Sequence, residues 1–122
     1  MVAMIRQTIK NHRDFIPGSS DIDARTPFFL VRARPAHNDL IGEYGLVVTK
    51  RAFRHAVDRN RAKRMLRDWI AHNEQFMASG FDYIFLARAA ILGASRIDGR
   101  AAMHRALNHI SKSIRDTQDA TK

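Results

Sequence analysis

The segment "EYGLVVTKRAFRHAVDRNRAKRMLRDW", residues 43–69, combines two hydrophobic periods and so predicts a strand followed by a helix. Residues 43–50 include a run of β-branched side chains, which favours a strand. From about Asp58 the apolar residues recur at the spacing i, i+3, i+4, i+7 of an amphipathic helix. These apolar positions are Ala62, Met65, Leu66, Trp69, Ile70, Phe76 and Met77. We therefore expect one long helix that ends at Ser79-Gly80.

Apolar segments on either side of this helix predict further elements. Residues 28–34, "FFLVRAR", and 81–89, "FDYIFLARA", both have the composition of strands. Pro17 ends a short N-terminal helix, and Asp98 is the predicted cap of a final helix. The expected order is a short helix, strands, the long helix, a strand and a helix.

Length and composition limit the class of protein. At 122 residues the chain is expected to be one domain, 1–122, in which the arm 1–12 and the tail 116–122 are candidates for disorder. The absence of cysteine excludes disulfides, thiolate zinc sites and cysteine nucleophiles. Because no apolar stretch is long enough to span a membrane and charges interrupt the N-terminus early, we expect a soluble, cytoplasmic protein without a secretory signal.

The charge balance predicts an anionic partner. The net charge is +9, and residues 50–67 contain eight Lys or Arg but only one acidic residue, Asp58. A helix face that is merely solvated usually carries Glu–Lys pairs four residues apart, and these are missing here. Arginine outnumbers lysine four to one in residues 59–67, which favours phosphate over a lipid surface because guanidinium groups bind phosphate bidentately. With no helix-turn-helix, zinc finger or heptad pattern, RNA fits better than DNA.

Other polar residues give no sign of catalysis. His104 and His109 are the only closely spaced histidines, and a separation of five residues does not place them on one helix face. Asp21 and Asp23 have no partners at a metal-binding spacing, so we expect ordinary loop acids there. Trp69 belongs to the apolar arc of the long helix and is expected to pack in the core.

The sequence "AVDRNRAKRMLR", residues 56–67, resembles the signature of the bacterial ribonuclease P protein subunit. The matching positions are Ala56, Arg59, Asn60, Lys63, Arg64 and Arg67. The preceding "YGLVVTKR" and the following "GFDYIFLAR" resemble that family in the same order, and "FFLVRA" and "NHRDF" match more loosely. The resemblance implies an α/β sandwich of the ribosomal protein S5 domain 2-like kind, in which a left-handed β-α-β crossover carries the basic helix.

The resemblance also implies a function. Such proteins bind a catalytic RNA and precursor tRNA, as monomers in a 1:1 complex with the RNA, while the RNA and its Mg²⁺ ions remove the 5′ leader. The protein then has no catalytic residue and no dedicated metal site. The residues implied to contact RNA are Lys50, Arg51, Arg59, Asn60, Arg61, Lys63, Arg64 and Arg67.

The family also holds the single-stranded leader in a cleft lined with aromatic residues. Phe15 fits the first position of this cleft, but Pro17-Gly18-Ser19-Ser20 stands where a second aromatic is usual. Val31 occupies a strand position where Tyr or Phe is frequent, so the platform would have to be rebuilt from Phe29. Phe28 and Phe29 lie on opposite strand faces, and we expect one of them in the core and the other available for stacking.

Three alternatives stay open from the residues. The chain could be another structured-RNA-binding protein with the same fold, of ribosomal or RNA-chaperone type. It could be a self-sufficient nuclease, which would depend on His104 or His109. It could also be a helix that binds a membrane surface, which would bind liposomes and show little preference for RNA.

Overall fold

The computed structural model describes residues 21–36 and 43–120, with side chains as far as residue 116. Four strands form one sheet: β1 (Ile22–Arg25), β2 (Phe29–Pro35), β3 (Tyr44–Val47) and β4 (Phe81–Ala87). Two long helices, α1 (Ala56–His72) and α2 (Arg96–Ala120), accompany short 3-10 helices at Glu74–Phe76 and Ala89–Gly93. The predicted α/β class is confirmed.

The order of the strands is β1-β2-β4-β3. Strands β1 and β2, and β2 and β4, pair antiparallel, whereas β3 and β4 pair parallel. Helix α1 makes the crossover between the two parallel strands, as the resemblance implied. The left hand of this crossover stays a prediction.

Both helices pack on one face of the sheet, which makes a two-layer sandwich. The register aligns Phe29 with Ala87 and Val31 with Phe85, so the alternate residues of β2 and β4 share this face. The same residues are buried together with Leu66 of α1. Residues Ala102, Met103, Leu107 and Ile110 of α2 complete the core. The alternation in "FFLVRAR" therefore matches the two faces of β2, and the structure decides which of them is buried: the face of Phe29, Val31 and Ala33.

The helix ends differ from the prediction for local reasons. Helix α1 ends at His72 because the side-chain amide of the buried Asn73 donates to the carbonyls of Trp69 and Arg100, at 3.0 and 3.1 Å. Helix α2 begins at Arg96, and the hydroxyl of Ser95 accepts from the backbone N–H of Asp98 at 3.0 Å. Ser95 is therefore the cap and the prediction of Asp98 is wrong.

Strand β1 was not predicted. Its sequence, "IDAR", contains an aspartate and follows another, and it was interpreted as a loop. Pairing with β2 and burial of Ala24 in the core stabilise it as a strand. Four residues are too few for a hydrophobic period to be visible in the sequence.

Two glycines have positions that require glycine. Gly80 has a φ of 77° in the turn that leads into β4, where a side chain would be strained. Gly99, in the first turns of α2, lies so close to the indole of Trp69 that a Cβ atom would overlap the ring. The close approach of α2 to α1 at this point therefore depends on Gly99.

Some predictions fall outside the described residues: the helix before Pro17, the arm 1–12, and residues 37–42 of the loop between β2 and β3. At the other end, α2 continues to Ala120, so its backbone is helical in most of the segment that was expected to be a tail. No helix in residues 21–36 or 43–120 combines the length and the hydropathy needed to span a bilayer.

Candidate nucleic-acid interface

Helix α1 is fixed to the sheet by its apolar side. Ala62, Leu66, Trp69 and Ile70 are buried. The indole of Trp69 packs against the rings of Phe28 and Phe29, with centroid distances of 6.0 and 6.2 Å. Because these four residues fix the helix over about two and a half turns, the opposite side of the helix is a rigid surface.

That opposite side carries the predicted cations. We call it the basic ridge and define it as Asn60, Arg61, Lys63, Arg64 and Arg67. Lys63 is half-buried and the other members are exposed. The structure thus brings five of the eight predicted RNA-binding residues together on one helix face.

The cations of the basic ridge have no partners within the described part of the chain. Neither Lys63 nor the three arginines makes a hydrogen bond or an ion pair with another described residue. The carboxylate of Asp68, on the same helix, is occupied by Arg100 of α2, at 3.0 and 3.2 Å. Neighbouring like charges on a helix repel one another, so a bound polyanion would stabilise this surface.

Asp68 is held in its charged form. The hydrogen bond from Arg100, followed by the charges of Arg100, Arg96 and His72, lowers the pKa of this carboxyl below its ordinary value of 3.8. The carboxylate is therefore neutralised by α2, and it does not compensate the charge of the ridge.

Arg59 has a different role from its neighbours. It is half-buried, and its Nη1 atom donates to the backbone carbonyls of Phe53 and Arg54, at 2.9 and 3.3 Å. Part of its guanidinium is therefore used to fix the loop before α1. The structure does not place Arg59 among the unpaired cations with which it was grouped.

The same loop positions Lys50 and Arg51. The hydroxyl of Thr49 accepts from Ala52 N–H at 3.2 Å, and Phe53 N–H donates to the carbonyl of Thr49 at 3.0 Å, which closes a tight turn. Phe53 is buried and anchors the turn in the core. Lys50 and Arg51 are thus held exposed at its tip.

The predicted leader cleft is corrected by the structure. Phe29 and Val31 both have 0% of their surface exposed. Phe29 packs against Trp69 and, edge to face at 6.0 Å, against Phe85. Since the apolar face of β2 lies beneath the helices, no nucleotide can reach either side chain, and the prediction that they line the cleft is wrong. Phe15 lies outside the described residues.

The histidines do not form a catalytic pair in the described residues. The ring of His104 packs edge-on against Phe76, with a centroid distance of 4.5 Å, and its Nε2 is 2.9 Å from the side-chain amide of Asn108. His109 is exposed elsewhere on α2. In the same residues no three histidine or acidic side chains come close enough together to hold a metal ion.

The face of the sheet that is turned away from the helices also carries arginine, but in a paired state. Arg32 of β2 lies directly opposite Asp23 of β1 and donates to both of its carboxylate oxygens, at 2.7 and 3.0 Å. Asp21 is 3.7 Å from the same guanidinium. The hydrogen bond from Arg32 and its charge lower the pKa of Asp23 below 3.8. Arg32 on the sheet is therefore paired with carboxylates, unlike the arginines of the basic ridge.

Comparison with known proteins agrees with the resemblance seen in the sequence. The model of the family described as Ribonuclease P matches residues 4–111. The chain belongs to this family. The ribonuclease P protein component of Marinomonas sp. (strain MWYL1) is 35% identical over 92 residues, which are 75% of this chain and 68% of that protein. The component of Chromobacterium violaceum is 38% identical over 76 residues, or 62% of this chain and 61% of that protein.

Solved structures of ribonuclease P proteins share the fold. The protein of Staphylococcus aureus superposes with a TM-score of 0.69 at 19% identity, over 87% of this chain and 96% of that one. The protein of Thermotoga maritima gives 0.62 at 22% identity, over 73% and 83%. The predicted family fold is confirmed by these matches.

Proposed function

We propose that this chain is the protein subunit of ribonuclease P. It binds the catalytic RNA and the 5′ leader of precursor tRNA in the cytoplasm, and so aids the Mg²⁺-dependent removal of the leader. The observation that carries this proposal is the basic ridge, a rigid helix face whose cations have no carboxylate partners among the described residues. Membership of the ribonuclease P family supports the identity of the RNA.

The ridge suits a folded RNA for two physical reasons. Its arginines can each donate two hydrogen bonds to a phosphate, and these are stronger than bonds between neutral groups. The helix does not have to rearrange, because Trp69 and Leu66 hold its other face on the core. Such a surface therefore supplies binding affinity and positions the RNA, and it supplies no catalytic group.

In this proposal the RNA and the substrate hold the Mg²⁺ ions. The described residues do not fit a dedicated magnesium site, since they contain no suitable cluster of acidic side chains. The ridge neutralises phosphates near the ion-binding backbone of the RNA, and one protein acts with one RNA. No side chain of this chain is assigned a proton-transfer or nucleophilic step.

Reconstitution tests the proposal. The purified chain is combined with a bacterial ribonuclease P RNA and precursor tRNA at a Mg²⁺ concentration at which that RNA alone is inactive. We expect the chain to restore cleavage at the mature 5′ end. A protein of ribosomal or chaperone type would bind the RNA without restoring turnover, and that result would reject the proposal. Cleavage without any RNA subunit would instead indicate a self-sufficient nuclease.

The leader contact rests on the resemblance at Phe15. A stacked base contributes about 1–3 kcal/mol, so we expect Phe15→Ala to weaken binding of leader-bearing precursor by about tenfold while binding of mature tRNA is unchanged. The measurement is the affinity of the reconstituted holoenzyme for the two RNAs. Equal losses for both would remove Phe15 from the leader site.

A further inference from the structure

A surface cavity lies between α1 and the first turn of α2. Its volume is about 300 Å³, and it is lined by Arg61, Arg64, Met65, Asp68, Trp69 and Arg96. Two of these arginines belong to the basic ridge. The third, Arg96, is the first residue of α2 and was not among the residues that the sequence assigned to RNA.

The charged residues that line this cavity are three arginines and one aspartate, so its net charge is positive. Among the described residues that line it, Asp68 is the only acidic one, and both oxygens of its carboxylate accept hydrogen bonds from Arg100. Arg61, Arg64 and Arg96 are all exposed, and within the described chain none of them is hydrogen-bonded or ion-paired. Three arginines thus line one cavity with a single carboxylate, which Arg100 already pairs and whose pKa the charge of Arg96 also helps to lower.

The three guanidinium groups are held near one another by packing beneath them. Gly99 lies directly against the indole of Trp69, which brings the first turns of α2 close to α1. The side chain of Asn73 joins the two helices again through the carbonyls of Trp69 and Arg100. Because the helices cannot separate without losing these contacts, the mutual repulsion of the arginines is built into the fold.

We propose that Arg96 joins Arg61 and Arg64 in holding one phosphate group of a bound RNA in this cavity. The RNA-binding surface therefore continues from the basic ridge onto the first turn of α2. An RNA phosphate is the ligand that fits, because several arginines that line one cavity can donate charge-assisted hydrogen bonds to its oxygens. This inference rests on the proposed function and deepens it.

A double-mutant cycle tests the shared site. The probes are a ribonuclease P RNA transcript and, for the assembled holoenzyme, a precursor tRNA transcript, so that the RNA that supplies the phosphate is identified by which affinity falls. We expect Arg96→Ala to weaken one of these affinities about tenfold. The matched control Arg115→Ala changes an exposed arginine of the same helix that lies outside the cavity, and it is expected to change neither affinity.

The pairwise comparison locates the phosphate. If Arg64 and Arg96 hold the same phosphate, the variant with both changed to alanine loses less than the product of the single losses. Arg67 lies outside the cavity, so the losses of affinity caused by Arg67→Ala and Arg96→Ala should multiply in the double variant. If the double variant of Arg64 and Arg96 lost affinity by the full product of the two single losses, the shared site would be overturned. Full retention of affinity by Arg96→Lys would overturn it as well, because charge alone would then explain the effect.

The outcomes separate this inference from the proposed function. If Arg64→Ala and Arg67→Ala weaken RNA binding while Arg96→Ala does not, only the cavity site is rejected. If none of the three variants changes RNA affinity, the proposed function fails with it. Thermal unfolding of each variant is measured in parallel, and Arg96→Ala is expected to unfold within 2 °C of the wild-type protein, since an exposed residue without hydrogen bonds contributes little, within about 0.5 kcal/mol, to stability.

Discussion

Arg32 on the sheet and Arg64 on α1 have the same side chain on the outer surface of a regular element, but their surroundings differ. Arg32 is paired with Asp23 through two hydrogen bonds and has Asp21 nearby. Arg64 is exposed and has no partner among the described residues. A net charge of +9 alone does not indicate where RNA binds. The location follows from which cations the protein leaves unpaired.

The two arginines also differ in the contacts that each must lose before it can bind a ligand. A paired arginine must lose its carboxylate contacts before it can bind phosphate, whereas an unpaired one loses only water. Arg59 is intermediate, because it is bonded to backbone carbonyls but to no carboxylate. Arg32 and Arg59 thus use their side chains within the fold, whereas Arg64 is available to a partner.

The largest expected effect separates the ridge from the sheet directly. Changing both Arg64 and Arg67 to alanine should weaken binding to ribonuclease P RNA by about a hundredfold, since each is expected to contribute about tenfold through charge-assisted hydrogen bonds. The slope of log affinity against log salt should become shallower by about 1.5, or roughly 0.7–0.9 for each lost phosphate contact. The measurement is a salt titration of RNA binding.

Arg32→Ala is the matched control for this titration. It removes the same charge from the paired region of the sheet, and we expect the salt slope to stay at the wild-type value. If Arg32→Ala reduced the slope as much as Arg64→Ala, the distinction between paired and unpaired arginines would have no bearing on RNA binding.

The second prediction concerns the packing that supports the ridge. Alanine in place of glycine usually stabilises a helix interior, but at Gly99 the added Cβ would overlap the indole of Trp69. We expect Gly99→Ala to lower the free energy of unfolding by about 1–3 kcal/mol, the usual cost of overpacking. Denaturant unfolding measures it.

Gly93→Ala controls for the substitution itself, because no side chain or backbone from elsewhere in the fold lies within 4 Å of the position of the added Cβ. It should leave stability nearly unchanged. Equal stability for the two variants would show that α2 can move away from Trp69 at little cost, and the arginines of the two helices would then not be held together.

The third prediction is that Arg59 stabilises the fold and does not contact RNA. Arg59→Ala removes the hydrogen bonds to the carbonyls of Phe53 and Arg54, and we expect a loss of about 1 kcal/mol in the free energy of unfolding. Arg61→Ala, two residues away on the exposed face, should change it by less than about 0.5 kcal/mol. A variant of Arg59 with wild-type stability and a reduced salt slope would return it to the RNA-contacting group.

The elements with a long hydrophobic period could be predicted from the sequence. Strand β2 and helix α1 follow from alternation and from the i, i+3, i+4 spacing, because burial on one side imposes these periods. Strand β4 follows from a continuous apolar run, because residues on both of its faces are buried. Strand β1 could not be predicted, since its four residues show no period and depend on pairing with β2. The start of α2 was misplaced because Ser95 and Asp98 are both good caps, and only the fold selects between them.

The candidate site also contains residues that could be predicted from the sequence and residues that could not. The exposed cations of α1 were predictable from one helix, because the apolar arc determines the opposite face. Arg96 was not, since it is 32 residues from Arg64 and lies at the cavity because α2 packs closely on α1 at Gly99 and Trp69. The cleft residues Phe29 and Val31 were carried over from the resemblance although the alternation of their strand already placed them on the apolar face. For these two residues, the alternation in the strand was more informative than the resemblance to the family.

The smallest expected effect is on the pH dependence of stability. The pKa of Asp23 is lowered, first by the hydrogen bond from Arg32, below its ordinary value of 3.8. Because the folded-state pKa lies below that of the unfolded chain, the pair stabilises the fold fully above about pH 4 and less as the pH falls through the folded-state pKa. An exposed pair of this kind contributes about 0.5 kcal/mol. Arg32→Ala should therefore lose less stability than the wild-type protein between pH 7 and pH 2.5, by about that amount.

Arg64→Ala removes the same charge but no carboxylate partner, so its acid profile should follow the wild-type curve. If unfolding at the two pH values showed the same change for Arg64→Ala as for Arg32→Ala, the effect would come from net charge, and the pairing on the sheet would not distinguish the two regions.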